Sequence, residues 1–236
     1  MNKGLLKYIS SSLLFLLISI AVVAQNQDEQ EEQEKKPLTF YGFKGGLNIG
    51  RFSDFLFKPE RFSLEGSVDF NFGNKYFAVA EGGYSNTNLE KENYNYSSEG
   101  YFIKIGFDYN MLKKYPTDFL GVGVRIGRSS FSQDANNVII TDNHWGNIPI
   151  SIPSENVSTY WLEGSLGLKT EIIKNIYLGW SALIKLKLSG GDSSFDPYNI
   201  PGYGNGINTI NLGVNYYIYY QIPFNREKIS KSQKTL

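Results

Sequence analysis

His144 is the one histidine of the chain, and it lies in the segment TDNHWGN. Asp142 and two serines, Ser151 and Ser154, are close to it in sequence. A histidine that shares a site with a serine and a carboxylate can activate the hydroxyl as a nucleophile, which is the chemistry of lipases and acyltransferases. No nucleophile motif accompanies these residues, and a solvated loop also explains them. A lipid A or phospholipid acyl-hydrolase or acyltransferase is therefore an alternative, and an enzyme is not the expected function.

A second polar group near this histidine has the residue types of a cation site. Its members are Asp134, Asn136, Asn137, Asp142 and Asn143. They lack the spacing and the terminal glutamate of a calcium loop, and the turn propensity of Asn and Asp explains them. The glycines form no phosphate-binding pattern, and the absence of cysteine excludes thiolate metal sites. We expect no metal and no cofactor.

Twelve charged residues share a different property, because each lies on the polar face of a segment whose other face is apolar. Six are acidic and six are basic, and glycine and serine are interleaved with them. A face in water has no need of matched charges, whereas ions in a narrow lumen each need a partner. The pattern predicts a lumen charge network formed by Lys44, Glu65, Asp69, Glu81, Lys104, Asp108, Arg125, Glu163, Lys169, Glu171, Lys185 and Lys187.

The elements that carry these charges are eight segments with a period of two. In residues 211–224, NLGVNYYIYYQIPF, every second residue from Leu212 to Ile222 is apolar, and such alternation predicts strands. Short links at 73–75, 111–118 and 172–175 alternate with long links at 50–61, 86–98, 132–158 and 189–206. The fold class predicted is all-β, an up-and-down antiparallel transmembrane β-barrel of about eight strands. Ten strands are the alternative, because the longest link contains NVIIT, which could extend a strand.

Periodicity alone does not decide which face of the barrel points inward. A soluble lipocalin-like barrel would bury the apolar face. The matched charges favour the opposite arrangement, as does an apolar face almost free of charge with Tyr and Trp towards the segment ends. Arg128 is the exception on that face, and we expect it near the outer rim.

The N-terminal segment predicts export. Residues 1–24 have the pattern of a signal peptide, with Lys3 and Lys7 before the apolar core LLFLLISIAVV, which is too short to span a bilayer. Residues 25–37 are acidic and rich in glutamine, which predicts a disordered periplasmic linker. Residues 38–224 form the predicted barrel, and 225–236 a polar C-terminal tail. The expected location is the bacterial outer membrane, after Sec-dependent export.

The pattern Asn211-x-Gly213-x-x-Tyr216-x-Ile218, together with Phe224, resembles the C-terminal signal that the barrel assembly machinery recognises. More broadly, residues 38–224 resemble a Bacteroidota family of porin-like outer-membrane barrels with a domain of unknown function. The resemblance rests on YFIKIGFDYN, FSQ at 131–133, WLEGSLGLKTEIIKNIYLGWS, IPGYGN and NYYIYYQIPF. It implies a barrel and its location, and no catalytic residues.

The expected function is a structural or interaction role through extracellular loops, with the lumen plugged by paired charges. A lipid-modifying enzyme using His144, a small-solute channel and a lipocalin-like binder are the alternatives. Expected partners are outer-membrane lipids and lipopolysaccharide, the barrel assembly machinery, and an extracellular or periplasmic protein. Nucleic acid is not expected, because the 23 basic and 23 acidic residues balance. The Pro/Gly-rich segment 198–206 is the candidate for a shaped outer surface.

Overall fold

The computed structural model describes residues 40–51, 59–72, 75–92, 94–112, 118–142, 146–190 and 193–223. The predicted signal peptide, linker and polar tail lie outside these residues, as do His144 and Phe224. In the described part of the chain, no helix has both the length and the apolar character needed to cross a membrane.

Eight antiparallel strands form a closed barrel in which each strand pairs with its neighbours in sequence and β1 pairs with β8. The predicted up-and-down topology of eight strands is therefore confirmed. The strands are β1 (Phe40–Asn48), β2 (Arg61–Phe72), β3 (Tyr76–Lys91), β4 (Tyr94–Asn110), β5 (Phe119–Asp142), β6 (Gly146–Ile173), β7 (Ile176–Gly190) and β8 (Ile210–Pro223).

The exposure of side chains alternates along the strands, as the pleat of a sheet requires. In β4, Ile105 is 56% exposed and Phe107 is 71% exposed, while Lys104 beside them is 1% exposed. The apolar face of the barrel is therefore the outer one, and the charged face is the buried one. A barrel that folds in water has the reverse arrangement, so the fold is that of a transmembrane β-barrel.

Aromatic side chains lie at both ends of this outer apolar face. Tyr76 and Tyr109, near the short links, have ring centroids 5.7 Å apart. Tyr84, Tyr101 and Tyr160 lie near the opposite end and are all exposed. Rings of this kind favour the boundary between hydrocarbon and water, so they mark the two edges of the apolar band.

Two of the segments predicted to be long links are mostly strand. β3 continues to Lys91 and β4 begins at Tyr94. In the same way, β5 continues to Asp142 and β6 begins at Gly146. The segment NVIIT continues β5 and adds no ninth strand. Its β-branched residues favour this, since Val138 and Ile140 pair with Ile150 and Ile148.

We expect Leu166→Arg to lower the free energy of unfolding in lipid vesicles by about 2–4 kcal/mol, because the guanidinium would enter the apolar band. Leu166 lies on the outer face of β6, between Val122 and Ala182 of the adjacent strands. Ile207→Arg is the matched control, because Ile207 is 64% exposed in the segment between β7 and β8. The control should change stability by less than about 0.5 kcal/mol. Urea titration measures both variants, and equal losses would contradict an outer face in lipid.

Candidate functional site

The candidate site is the interior of the barrel, where ionised side chains lie between two groups of buried aromatic residues. Five acidic and five basic side chains are buried inside the barrel. The acidic residues are Glu65, Asp69, Glu81, Asp108 and Glu163, and the basic residues are Lys44, Lys104, Arg125, Lys169 and Lys185. The formal charges of these ten side chains sum to zero.

Lys104 is the centre of this network. Its Nζ lies 3.0 Å from Oε1 of Glu65 and 3.5 Å from Oε1 of Glu163, and it also pairs with Glu81. The hydroxyl of Tyr217 donates a hydrogen bond to Oε1 of Glu65 at 2.8 Å. Amide nitrogen Nδ2 of Asn48 donates to the other oxygen of the same carboxylate at 3.2 Å. One cation thus holds three carboxylates that come from β2, β3 and β6.

A second part of the network lies around Arg125 and Lys169. Nε of Arg125 is 3.0 Å from Oε1 of Glu81, and Nη2 is 3.0 Å from Oδ1 of Asp108. Nζ of Lys169 is 2.5 Å from Oδ2 of Asp69 and 3.3 Å from Oδ2 of Asp108. Because Glu81 contacts both Lys104 and Arg125, the two parts form one continuous set of ion pairs.

Three further cations lie at the margins of the network. The Lys44 ammonium lies 4.0 Å from the ring centroid of Tyr177, a cation–π contact. Lys185 donates a hydrogen bond to the carbonyl oxygen of Gly202 at 2.7 Å and lies 3.8 Å from Oε2 of Glu163. Arg51 reaches Oε2 of Glu65 at 3.0 Å.

Two of the twelve charges predicted to lie in the lumen are not part of the buried network. Glu171 is exposed, and the prediction that it lies in the lumen is wrong. Glu171 keeps the inward parity opposite the buried Tyr177, but it lies at the short-link end of β6, where its carboxylate accepts a hydrogen bond from the backbone N–H of Asn175 at 2.7 Å. Lys187 is half-buried and donates to the carbonyl oxygen of Gly206 at 2.5 Å. Among the described residues it forms no ion pair.

One group of aromatic side chains closes the interior near the short links. Tyr217 and Tyr219 stack with ring centroids 5.2 Å apart, and Tyr177 is buried with them. Phe77 and Phe119 meet edge to face at 5.6 Å beside this group. We call these five residues the lower aromatic layer. A Cβ atom at Gly46 or at Gly179 would collide with the ring of Tyr219, so inward glycines leave the space that the ring fills.

The upper apolar layer closes the opposite end of the interior. It is a buried cluster of Phe102, Phe131, Val157, Trp161, Ile200 and Tyr203. Ile200 and Tyr203 come from the segment 193–209 between β7 and β8, which we call the mouth loop. The rings of Trp161 and Tyr203 have centroids 5.8 Å apart. Gly202 has φ of 75° and lies against the ring of Phe102, so a side chain there would be both strained and obstructed.

The mouth loop is also anchored from outside the buried cluster. Glu155 accepts hydrogen bonds from Nε2 of Gln133 at 2.8 Å and from the backbone N–H of Ser194 at 2.9 Å. These donors hold the pKa of the Glu155 carboxyl below its usual range. Tyr96 packs edge-on against the rings of Phe195 and Tyr198 at 6.2 and 6.0 Å. The Pro/Gly-rich segment 198–206, the candidate for a shaped outer surface, folds over the barrel's mouth.

Sequence reasoning missed most of these aromatic residues. Phe77, Phe102, Phe119 and Trp161 lie on the same parity as the lumen charges, but no part was assigned to them. The sequence did contain a signal for them. A large aromatic residue on the polar face of one strand, with glycines on the polar faces of other strands, indicates a ring that fills the space beside those glycines. Trp161 shows it, since a Cβ at Gly127 would collide with the indole.

The residues proposed for catalysis or metal binding do not form a described site. The backbone of Asp142 belongs to β5, Ser151 and Ser154 are exposed on β6, and His144 lies outside the described residues. Within the described ranges, no group of three or more His, Asp or Glu residues is arranged to hold a metal ion.

The residues of the proposed assembly signal lie on β8, the strand that closes the barrel against β1. Asn211 and Gly213 are half-buried, whereas Tyr216 and Ile218 are exposed on the outer face. Phe224 lies outside the described residues.

A closed ring of eight antiparallel strands with an apolar outside and a charged, filled inside defines the class of small transmembrane β-barrels. The chain belongs to the family of the domain of unknown function DUF6048, whose model matches residues 5–227. No curated protein matches the sequence.

Two solved structures are similar in fold at low identity. Ail, the attachment invasion locus protein of Yersinia pestis, is 11% identical, with 77% of this chain and 94% of Ail covered and a TM-score of 0.37. A major outer membrane protein from Thermus thermophilus is 10% identical, with 78% of this chain and 98% of that protein covered and a TM-score of 0.44.

We expect Lys104→Met to destabilise the barrel by about 3–5 kcal/mol, because Glu65, Glu81 and Glu163 would lose their shared cation in the buried interior. Lys187→Met is the matched control, because that ammonium is half-buried and makes one hydrogen bond to a carbonyl. Its loss should not exceed about 1.5 kcal/mol. Urea unfolding in vesicles measures both variants, with the folded fraction read from heat-dependent migration on gels. Similar losses would show that Lys104 is not the centre of the network.

Proposed function

We propose that the protein is a non-conducting barrel of the bacterial outer membrane that presents its extended strands to a protein partner outside the cell. The observation that carries the proposal is the filled interior, in which a neutral set of ion pairs lies between two apolar layers. Export by the Sec route, the signal peptide and membership of a Bacteroidota family belong to the same proposal. They rest on the sequence patterns of residues 1–24 and on the family resemblance.

The packing of the interior favours a plug over a channel. An eight-stranded barrel has an interior that side chains just fill, whereas porins enclose a water-filled lumen with far more strands. The pocket between Asp108, Arg125 and Lys169 amounts to about 10 Å³, room for about one water molecule. An ion-selective filter often carries a ring of one charge sign, and here five anions balance five cations.

The outer face favours a membrane over water as the surroundings. Leu212 is 80% exposed and Val124 is 59% exposed, and apolar neighbours cover the same face of every strand. A continuous apolar surface of this extent is rare on monomeric soluble proteins. Because the strand number is even, both ends of the barrel segment lie on one side of the membrane, the side of the short links.

The extended strands favour a polypeptide as the partner. Beyond Asn136, β5 has no ladder partner except β6, and β6 pairs with β7 only from Thr159 onwards. The ribbon formed by residues 137–142 of β5 and 146–152 of β6 therefore has open backbone edges above the apolar band. Such edges form hydrogen bonds with extended segments of other chains. Pro149 and Pro153 have no backbone N–H, so β6 has two fewer hydrogen-bond donors. The β5 edge therefore has the more complete set of backbone donors.

We expect the purified barrel to give no stable open channels in planar bilayers, since the ion pairs and both apolar layers would have to separate before ions could pass. A water-filled porin reconstituted in the same bilayers is the positive control for insertion. Reproducible unitary conductance of the wild-type barrel would contradict the proposal and favour the small-solute channel.

A protease site inserted between Asp142 and Gly146 should be cut when protease is added to intact cells. The same insertion between Phe72 and Tyr76, at the short-link end, should resist until the outer membrane is permeabilised. Immunoblots of the fragments measure both variants. Cutting of the Phe72–Tyr76 insertion in intact cells would show that the barrel has the opposite orientation or another location.

A further inference from the structure

Arg128 is the one charged side chain on the outer face of the described strands between the aromatic residues at their two ends. The other side chains of this face are apolar or glycine, apart from Thr170 near the short-link end. An unpaired cation in contact with hydrocarbon is destabilising, and least so at the edges of the apolar band, so the level of Arg128 along the barrel decides which groups it can contact.

The position of Arg128 along the barrel is the edge of the apolar band. On β5 the outward residues are apolar from Leu120 to Ile126, and from Arg128 onwards they are polar. The same change occurs between Tyr101 and Glu99 on β4 and between Tyr160 and Ser158 on β6. Arg128 therefore lies at the level where lipid headgroups begin, on the side of the extended strands.

The contacts of Arg128 leave its charge without a counter-ion from the described chain. Its Cζ lies 5.4 Å from the ring centroid of Tyr160, which orients the guanidinium over that ring. No described carboxylate forms an ion pair with it, whereas Arg125 and Arg51 both bind carboxylates. Glu99, on the outer face of the adjacent strand, accepts a hydrogen bond from the hydroxyl of Tyr84 at 3.2 Å.

We propose that Arg128 binds the phosphate group of a lipid headgroup in the leaflet that faces the extended strands. The planar guanidinium presents paired N–H donors that match two phosphate oxygens, and the pairing is strongest at the margin of a water-poor region. Tyr160 holds the cation against the barrel wall, and Ser130 supplies a hydroxyl next along the same face of β5. The inference rests on the membrane placement given under the proposed function.

The melting temperature of the barrel in neutral detergent micelles, measured while a lipid is titrated in, tests this binding. The probes are phosphatidic acid, diacylglycerol with the same acyl chains, and inorganic phosphate. Phosphatidic acid should raise the melting temperature of the wild-type barrel, while diacylglycerol and inorganic phosphate should not. Arg128→Gln should weaken the apparent affinity for phosphatidic acid about ten- to a hundredfold, and Arg128→Lys should retain part of it.

Lys75→Gln is the matched control, because it removes one positive charge at the opposite, short-link end of the barrel. It should bind phosphatidic acid as the wild type does. Equal binding by Arg128→Gln and the wild type, or equal stabilisation by diacylglycerol, would overturn the headgroup site. A wild-type chain that stays folded and monodisperse without detergent would overturn the membrane placement and the headgroup site together. That separate measurement distinguishes the two failures.

Discussion

A carboxylate that leaves water for the inside of a closed barrel needs a cation beside it, and this constraint organises the whole interior. Five carboxylates are buried there, and the basic groups that neutralise them are as numerous. Lys104 alone serves Glu65, Glu81 and Glu163. Since the ion pairs of Lys104, Arg125 and Lys169 all join different strands, the strands are held in register by ion pairs as well as by ladder hydrogen bonds.

The apolar layers above and below this network have an electrostatic as well as a packing role. The lower aromatic layer and the upper apolar layer keep water from the ions, and the attraction between buried charges is stronger where water is excluded. Small residues make room for these layers, as Gly46 and Gly179 do for Tyr219. The mouth loop completes the upper layer from the segment between β7 and β8, with Ile200 and Tyr203 packed inside the barrel wall.

Strand number and the identity of the inner face could be predicted from the sequence, because a pleated strand repeats every two residues and Lys104 and Glu163 lie on the polar parity. The pairing of charges could not, since it depends on the tilt and stagger of strands distant in sequence. Glu171 shows the limit of parity, because it keeps the inward parity opposite Tyr177 but lies at the short-link end of its strand, where its side chain is exposed. The strand extension around Asn136 and Asn137 has the composition of a loop, and the ladder pairs on either side of it, such as Asn95 with Asn136 and Val138 with Ile150, continue the strand through it.

The contacts of the network join parts of the chain that are far apart. Asp69 and Lys169 are separated by 100 residues, and Glu65 and Tyr217 by 152. The bond between Glu65 and Tyr217 joins β2 to β8 and needs β8 to lie beside β1, so the interior is completed only when the ring has closed. Contacts of such long sequence separation make folding slow and cooperative. An incompletely closed barrel would hold bare ions next to lipid, and that penalty disfavours partly assembled intermediates.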